Sequence, residues 1–247
     1  MSCWKLIGSN YGHFPYHLGA NSLAETHETF DPVPCCGPGG LYFTDIEHIL
    51  EYLECGDKIC EIRIPGDAQV VCVEGTKYKA DKIEILSIDP LLDRLVTLEN
   101  QGLNVHVHDD YALKTSAELG RLDMVKFLIE ECGANPHTGE EEPLIWAAGE
   151  GQLEVVKYLV EEHHADIHAQ NDEALIRSAG EGYLEVVKYL VERGAAINEE
   201  ALKVSAHSGW LGVVKYLVEQ GAIPTKEDLI RSADFLEVVE YLRGVIE

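Results

Sequence analysis

Seven cysteines and eleven histidines are the side chains of this 247-residue sequence best suited to hold a metal or act as nucleophiles. Six of the cysteines fall in the first third of the chain, and Cys35, Cys36, Cys55, Cys60 and Cys72 among them have His13 and His17 in the same stretch of sequence. Structural zinc needs four thiolate or imidazole ligands, usually delivered as closely spaced pairs. No C-x-x-C occurs, and Cys55 and Cys60 bracket the end of one element and the start of the next, so buried free thiols are expected. His106, His108, His163 and His164 lack the carboxylate–histidine spacing that places ligands on one face. The GPGG at 37–40 is not followed by the G-K-[ST] that cradles phosphate, and neither G-x-S-x-G nor H-E-x-x-H is present. The sequence spells out no complete metal, phosphate-loop or hydrolase set, and no cofactor is expected from these residues.

Charge narrows the partners. Nineteen Lys and Arg stand against 44 Asp and Glu, a formal net charge of −25, and acid outnumbers base on both sides of Pro90. Such a surface repels phosphate backbones and anionic lipid, so nucleic acid and membrane surfaces are poor partners and a basic protein a better one. No apolar run approaches the ~18 residues that cross a bilayer, and no N-terminal stretch has the form of a secretory signal. An intracellular, soluble protein is expected.

Two textures must position whatever chemistry there is. Residues 1–90 hold six of the nine prolines, with period-two alternation in ICEIRIP, AQVVCVEG and KIEILSI that predicts strands. TDIEHILEYLECG predicts a helix capped by Thr44, with Glu47 closing a capping box and Gly56 ending it. The expectation is a small mixed α/β head domain over 1–90.

From residue 91 one phrase recurs: GRLDMVKFLIEECGA from Gly120, GQLEVVKYLVEEHHA from Gly151, GYLEVVKYLVERGAA from Gly182, GWLGVVKYLVEQGAI from Gly209, and a shortened DFLEVVEYLRGVIE from Asp234. Lys126, Lys157, Lys188, Lys215 and Glu240 occupy one register, at spacings of 31, 31, 27 and 25. A period near thirty, kept five times, signals a solenoid of helix pairs that bury their faces only by stacking. Leu184, Val187, Leu190 and Val191 form one apolar stripe, and Gly194 and Gly221 stand where left-handed C-caps are needed.

GYLEVVKYLVERGAAIN resembles the ankyrin repeat almost throughout, and the divergent style, with HDDYALKTSAELG leading into the first full unit, is similar to the expanded ankyrin families of giant DNA viruses. The family's T-P-L-H opening, which knits neighbouring repeats, is replaced by EPLI, EALI, EALK and EDLI, without the histidine. The resemblance implies an α+β chain: the head, then an all-α ankyrin-repeat solenoid over 91–247. Its expected parts are a degenerate cap at 91–110, repeats at 111–140, 141–171, 172–198 and 199–225, and a short cap at 226–247. GAAINEEALKVSA leaves no room for a β-hairpin finger, so helix faces and inter-helix turns are expected to make the contacts. The family's geometry then implies a partner-binding set of Trp146, Glu150, Arg177, Glu181, Tyr183, His207 and Trp210, a protein partner, and no catalysis. For a viral chain the place of action would be the host cytoplasm.

CCGPGGLYFTDIEHILEYL resembles the G-x-G-I-Y-F-A-D stretch of ADP-ribosyltransferases of the poly(ADP-ribose) polymerase type. That second resemblance implies that Tyr42 and Tyr52 flank nicotinamide, that Glu74 is the catalytic acid and that His13 stands for the first motif, with NAD as cosubstrate. The H-G-[ST] of the first motif is absent. A non-catalytic binding scaffold is the leading expectation, and an ADP-ribosyltransferase-like head acting on targets recruited by the repeats the alternative.

Overall fold

The computed structural model describes residues 3–7, 18–22, 41–73, 75–99 and 103–246, in two compact units, Met1–Val107 and His108–Glu247. The first is built on an antiparallel sheet: β1 (Cys3–Ile7), β2 (Gly19–Ser22), β3 (Leu41–Asp45), β4 (Lys58–Arg63), β5 (Val70–Cys72), β6 (Lys77–Ala80) and β7 (Lys82–Pro90), in the order β2-β7-β4-β1-β3-β6-β5. The three strands read from alternation are β4, β5 and β7. Leu41, Phe43, Cys60, Ile62, Ala80, Ile83 and Ile85 form one buried cluster, removing apolar surface from water at roughly 25 cal/mol per Å².

The expected helix from Thr44 is corrected. Thr44 is a β3 residue whose hydroxyl donates to the Thr76 carbonyl (2.5 Å), because LYFTD continues a strand pairing with β6. The turn that follows is started by Asp45, which accepts from the His48 backbone N–H (3.1 Å), and only a 3₁₀ helix at Ile49–Cys55 results. The His48 ring lies against the same carboxylate, which raises its pKa. Helix α1 (Leu91–Glu99) packs on β7 and β4 through a buried Leu91, Leu95 and Leu98 stripe, and Arg94 pairs with Glu61 (3.0 Å). Residues 91–107, expected at the start of the array, thus group with the first unit.

The second unit is helical throughout: α2 (Val107–Glu118), α3 (Leu122–Lys126, prolonged by a π-helical turn at Phe127–Glu131), α4 (Thr138–Gly149), α5 (Leu153–Glu162), α6 (Ala169–Gly180), α7 (Leu184–Glu192), α8 (Glu199–His207), α9 (Leu211–Glu219), α10 (Lys226–Arg231) and α11 (Leu236–Ile246). First helices stack on first helices (α4, α6, α8, α10) and second on second (α3, α5, α7, α9, α11). Each interior helix is therefore covered on both sides: α7 buries Val186, Val187, Tyr189 and Leu190, a wider face than one apolar stripe.

The change of period has a local cause. In the long units the first helix opens with three left-handed residues: His108–Asp109–Asp110, Gly139–Glu140–Glu141 and Gln170–Asn171–Asp172. Non-glycine residues hold this geometry at a cost of about 1–2 kcal/mol each, offset by bonds to the loop that leads into the next helix pair. Asp110 accepts from Asn135 N–H (3.0 Å), Glu141 from Asp166 N–H (3.1 Å) and Asp172 from Ala196 N–H (2.9 Å). The carbonyls of Asp109, Glu140 and Asn171 accept in turn from the side chains of Thr138, Gln170 and Asn198. This carboxylate ladder stands where the T-P-L-H stitch is missing. The short units drop the turn. Helix α8 is capped simply by Asn198, accepting from Ala201 N–H (2.9 Å), and α10 by a capping box of Thr225 and Asp228.

A second ladder explains the repeated K-Y-L-V-E. Tyr158 donates to Glu130 (2.7 Å) and Tyr189 to Glu161 (3.1 Å), each reaching the preceding unit. Lys126 lies 5.3 Å from the Tyr158 ring centroid and Lys215 5.6 Å from that of Tyr241. Burial, then the carboxylate, pushes the Tyr189 hydroxyl up to about 12, so it stays a donor at neutral pH. Tyr158→Phe keeps the ring and loses one bond, and should lower stability by about 1 kcal/mol in urea unfolding. An unchanged midpoint would show that the phenol is incidental.

Candidate partner-binding surface

Five of the seven residues expected to bind a partner meet in one groove. Trp146 on α4, Arg177 on α6 and His207 at the end of α8 line it together with Glu150 and Glu181, the residues just past α4 and α6, and its volume is 860 Å³. The groove is long because equivalent positions of successive first helices stack in register. Gly149 and Gly180 lie in its floor, where a Cβ would meet only ordinary contacts at 3.5 Å. Sequence reading missed Tyr111, whose ring meets Trp146 edge-on with centroids 6.4 Å apart. The T-shaped pair closes one end of the groove, and only the stacking of α2 against α4 brings two unrelated sequence positions together.

The groove is lined by the acids Glu118, Glu142, Glu150 and Glu181 and by the base Arg177. Of these, Arg177 is held by Glu173 (2.8 Å), and Glu142 by Lys114 (2.7 Å), which also meets Asp109 (3.2 Å). Glu150 and Glu181 are exposed, and among the described residues neither forms an ion pair.

Tyr183 and Trp210 are placed elsewhere, for a steric reason. Both N-cap a second helix, α7 and α9, and lie on a glycine of the preceding unit, Tyr183 on Gly151 and Trp210 on Gly182. Gln152 on Gly120 and Phe235 on Gly209 repeat the arrangement. Trp210 also donates its indole N–H to the Gly180 carbonyl (2.7 Å). These aromatics staple repeat to repeat and are not part of the groove lining.

In the first unit, His13 and Glu74 lie outside the described residues, as do Cys35, Cys36 and His17. Tyr42 and Tyr52 do come together, but around Lys77: its ammonium is 5.1 Å from one ring centroid and 5.4 Å from the other. A lysine between the rings disfavours a second cation such as the nicotinamide ring of NAD. Lys5 is near by, donating to the Tyr42 carbonyl (2.7 Å), and burial lowers its pKa to about 8. Among the described residues no group of three or more His, Cys, Asp and Glu could hold a metal, and no helix is long and apolar enough to cross a membrane.

Comparison with known proteins agrees with the stacked helix pairs. The family model for ankyrin repeats, in three copies, matches residues 87–171 and 113–200. Two ankyrin repeat proteins of Acanthamoeba polyphaga mimivirus are similar to the chain. One is 32% identical over 125 residues, which is 48% of this chain and 37% of that protein. The other is 32% identical over 123 residues, which is 47% of this chain and 60% of that protein. The chain thus spans less than two thirds of either relative. The matched residues carry ankyrin repeats, and the sheet-rich region of α+β character lies on their N-terminal side.

Proposed function

We propose that the repeat array is a protein-binding scaffold that holds a basic partner in its groove, without a catalytic step of its own. The observation that carries this reading is the pair Glu150 and Glu181, presented one unit apart on a groove whose Arg177 is already tied to Glu173. Ankyrin repeats generally mediate protein–protein interaction, and a net charge of −25 favours fast encounter with a positive partner. The mimivirus relatives suit a place of action inside the host cell. On this reading the first unit is a head carried with the array.

Glu150→Lys combined with Glu181→Lys reverses the charge where it is presented and leaves both inter-repeat ladders intact. The full-length double variant should lose partners recovered by the full-length wild type from a host lysate, with affinities down about 10- to 100-fold and a weaker dependence on salt. Recovery of the same proteins at the same affinity would refute the groove as the binding surface.

A further inference from the structure

We propose that the last helix pair of the array, α10 and α11, pairs with the same surface of a second copy of this chain, giving a two-fold dimer. The observation is a change of burial along the repeat register. Ala148, Ala179 and Ala206 are 0% exposed, yet their counterpart Ala233 lies in the open. Ile230 is 72% exposed where Ile145 is 2%, and Leu236 is 69% exposed where Leu153, Leu184 and Leu211 are half-buried. In interior pairs this side is covered by the following pair: a Cβ on Gly212 would touch Leu184 at 3.7 Å, and one on Gly180 would touch Val204 at 3.5 Å. Helices α10 and α11 therefore continue the interface on which the whole array is built. They leave its apolar side in water, where terminal repeats are ordinarily polar.

A further repeat of the same kind does not suit this surface, because the stitches that would hold it are missing. The turn at Ser232–Phe235 has no glycine to seat an aromatic as Gly151, Gly182 and Gly209 do. Gly244 stands in the register of Glu130 and Glu161, which accept from the tyrosine of the next pair. A second copy suits it better. A two-fold contact brings one apolar patch onto its equal, so Ile230 and Leu236 of both chains leave water together. Two chains at −25 repel as wholes, but this end carries unpaired charge of both signs. Lys226, Asp234, Glu237 and Arg243 are exposed, and among the described residues they form no ion pair. Elsewhere Lys157, Arg177, Lys188, Arg193 and Lys203 are each tied to a glutamate. In register, Glu240 replaces the lysine that holds Glu154 and Glu185 in earlier pairs, which leaves Glu237 open. The bases of one copy can thus meet the acids of the other around the apolar patch.

Sedimentation equilibrium of the full chain, from about 1 to 100 μM, reads the association by mass action. The expected result is a monomer–dimer equilibrium that stops at two chains. Ile230→Glu combined with Leu236→Glu puts four carboxylates into the pair and should weaken it about 100-fold or more. Both side chains are exposed, so the circular dichroism of the chain should stay that of the wild type. Arg243→Glu leaves the apolar patch intact and should weaken the pair about tenfold; it decides the matter if the first variant fails to fold. A monomer throughout, a mass that grows past two chains, or a dimer that neither variant disturbs would each overturn the proposal. So would a monomeric wild type that recovers a lysate protein which the Ile230→Glu, Leu236→Glu variant does not, since the surface would then belong to a different partner. The sedimentation uses no other protein, so its outcome is independent of the groove.

Discussion

Gly182→Ala is expected to destabilise the array by about 3 kcal/mol, far more than an alanine usually costs on a surface turn. Gly182 has φ +83, and a Cβ there would come within 3.0 Å of the Trp210 ring, closer than real Cβ atoms approach a neighbour. The left-handed backbone alone costs about 1–2 kcal/mol for a side chain. The rest comes from pushing Trp210 off its seat and breaking its bond to the Gly180 carbonyl, about 1–3 kcal/mol for a group left unpaired. Gly194 is the internal control, with φ +103 but nothing within 4 Å of its Cβ, so Gly194→Ala should cost only the backbone term of about 1 kcal/mol. Combining Gly182→Ala with Trp210→Ala should bring the glycine effect down to that same value, the non-additivity expected of residues in contact. Urea unfolding followed by circular dichroism measures the wild type, the three single variants and the double variant, and equal losses for Gly182→Ala and Gly194→Ala would disprove the staple.

That staple marks how far the sequence could be read. The period, the helix pairs and the C-cap glycines Gly194 and Gly221 were legible because each follows from local pattern: apolar spacing for the helices, and positive φ, +103 and +107, at the two glycines. The role of Tyr183 and Trp210 was not legible, because aromatics at such positions suit a binding surface and an inter-repeat seat equally well. What decides between them is the glycine of the preceding unit, 32 residues before Tyr183 and 28 before Trp210, and a pattern read within one repeat does not join the two. The left-handed turns were hidden for a different reason. Glu140–Glu141 and Asn171–Asp172 look like ordinary acidic helix starts, and only the amides of Asp166 and Ala196, in the loops that lead into the next helix pairs, reveal why those acids lie where they do. In the first unit β2 escaped notice because GANS has no hydrophobic alternation; its buried Asn21 bonds locally to the Gly19 carbonyl. The groove was half legible. Its acids and Trp146 could be named from register, whereas Tyr111 needed the packing of α2 against α4.

Asp172 tests whether the carboxylate ladder truly replaces the missing stitch. It is 8% exposed, the last residue of its left-handed turn at φ 61, and its Oδ1 meets both the Ala196 N–H (2.9 Å) and the His168 ring (2.9 Å). Asp172→Ala removes the acceptor and puts a residue with no local hydrogen bonding into a left-handed position, so a loss of about 2 kcal/mol is expected. Because repeat arrays gain stability from nearest-neighbour interfaces, the loss should be concentrated between the third and fourth units. Hydrogen exchange at the Ala196 amide is the direct readout, and about thirtyfold acceleration corresponds to 2 kcal/mol. Asp172→Asn keeps a short side chain that tolerates the left-handed turn and retains a carbonyl acceptor, and Asp172→Glu copies the side chain found at Glu141. Both should therefore stay within about 1 kcal/mol of the wild type. If alanine and asparagine lost the same stability while glutamate kept it, the effect would be one of charge alone. If alanine lost none, the unit interface would be held by its apolar faces, and the ladder would only set the register in which they meet.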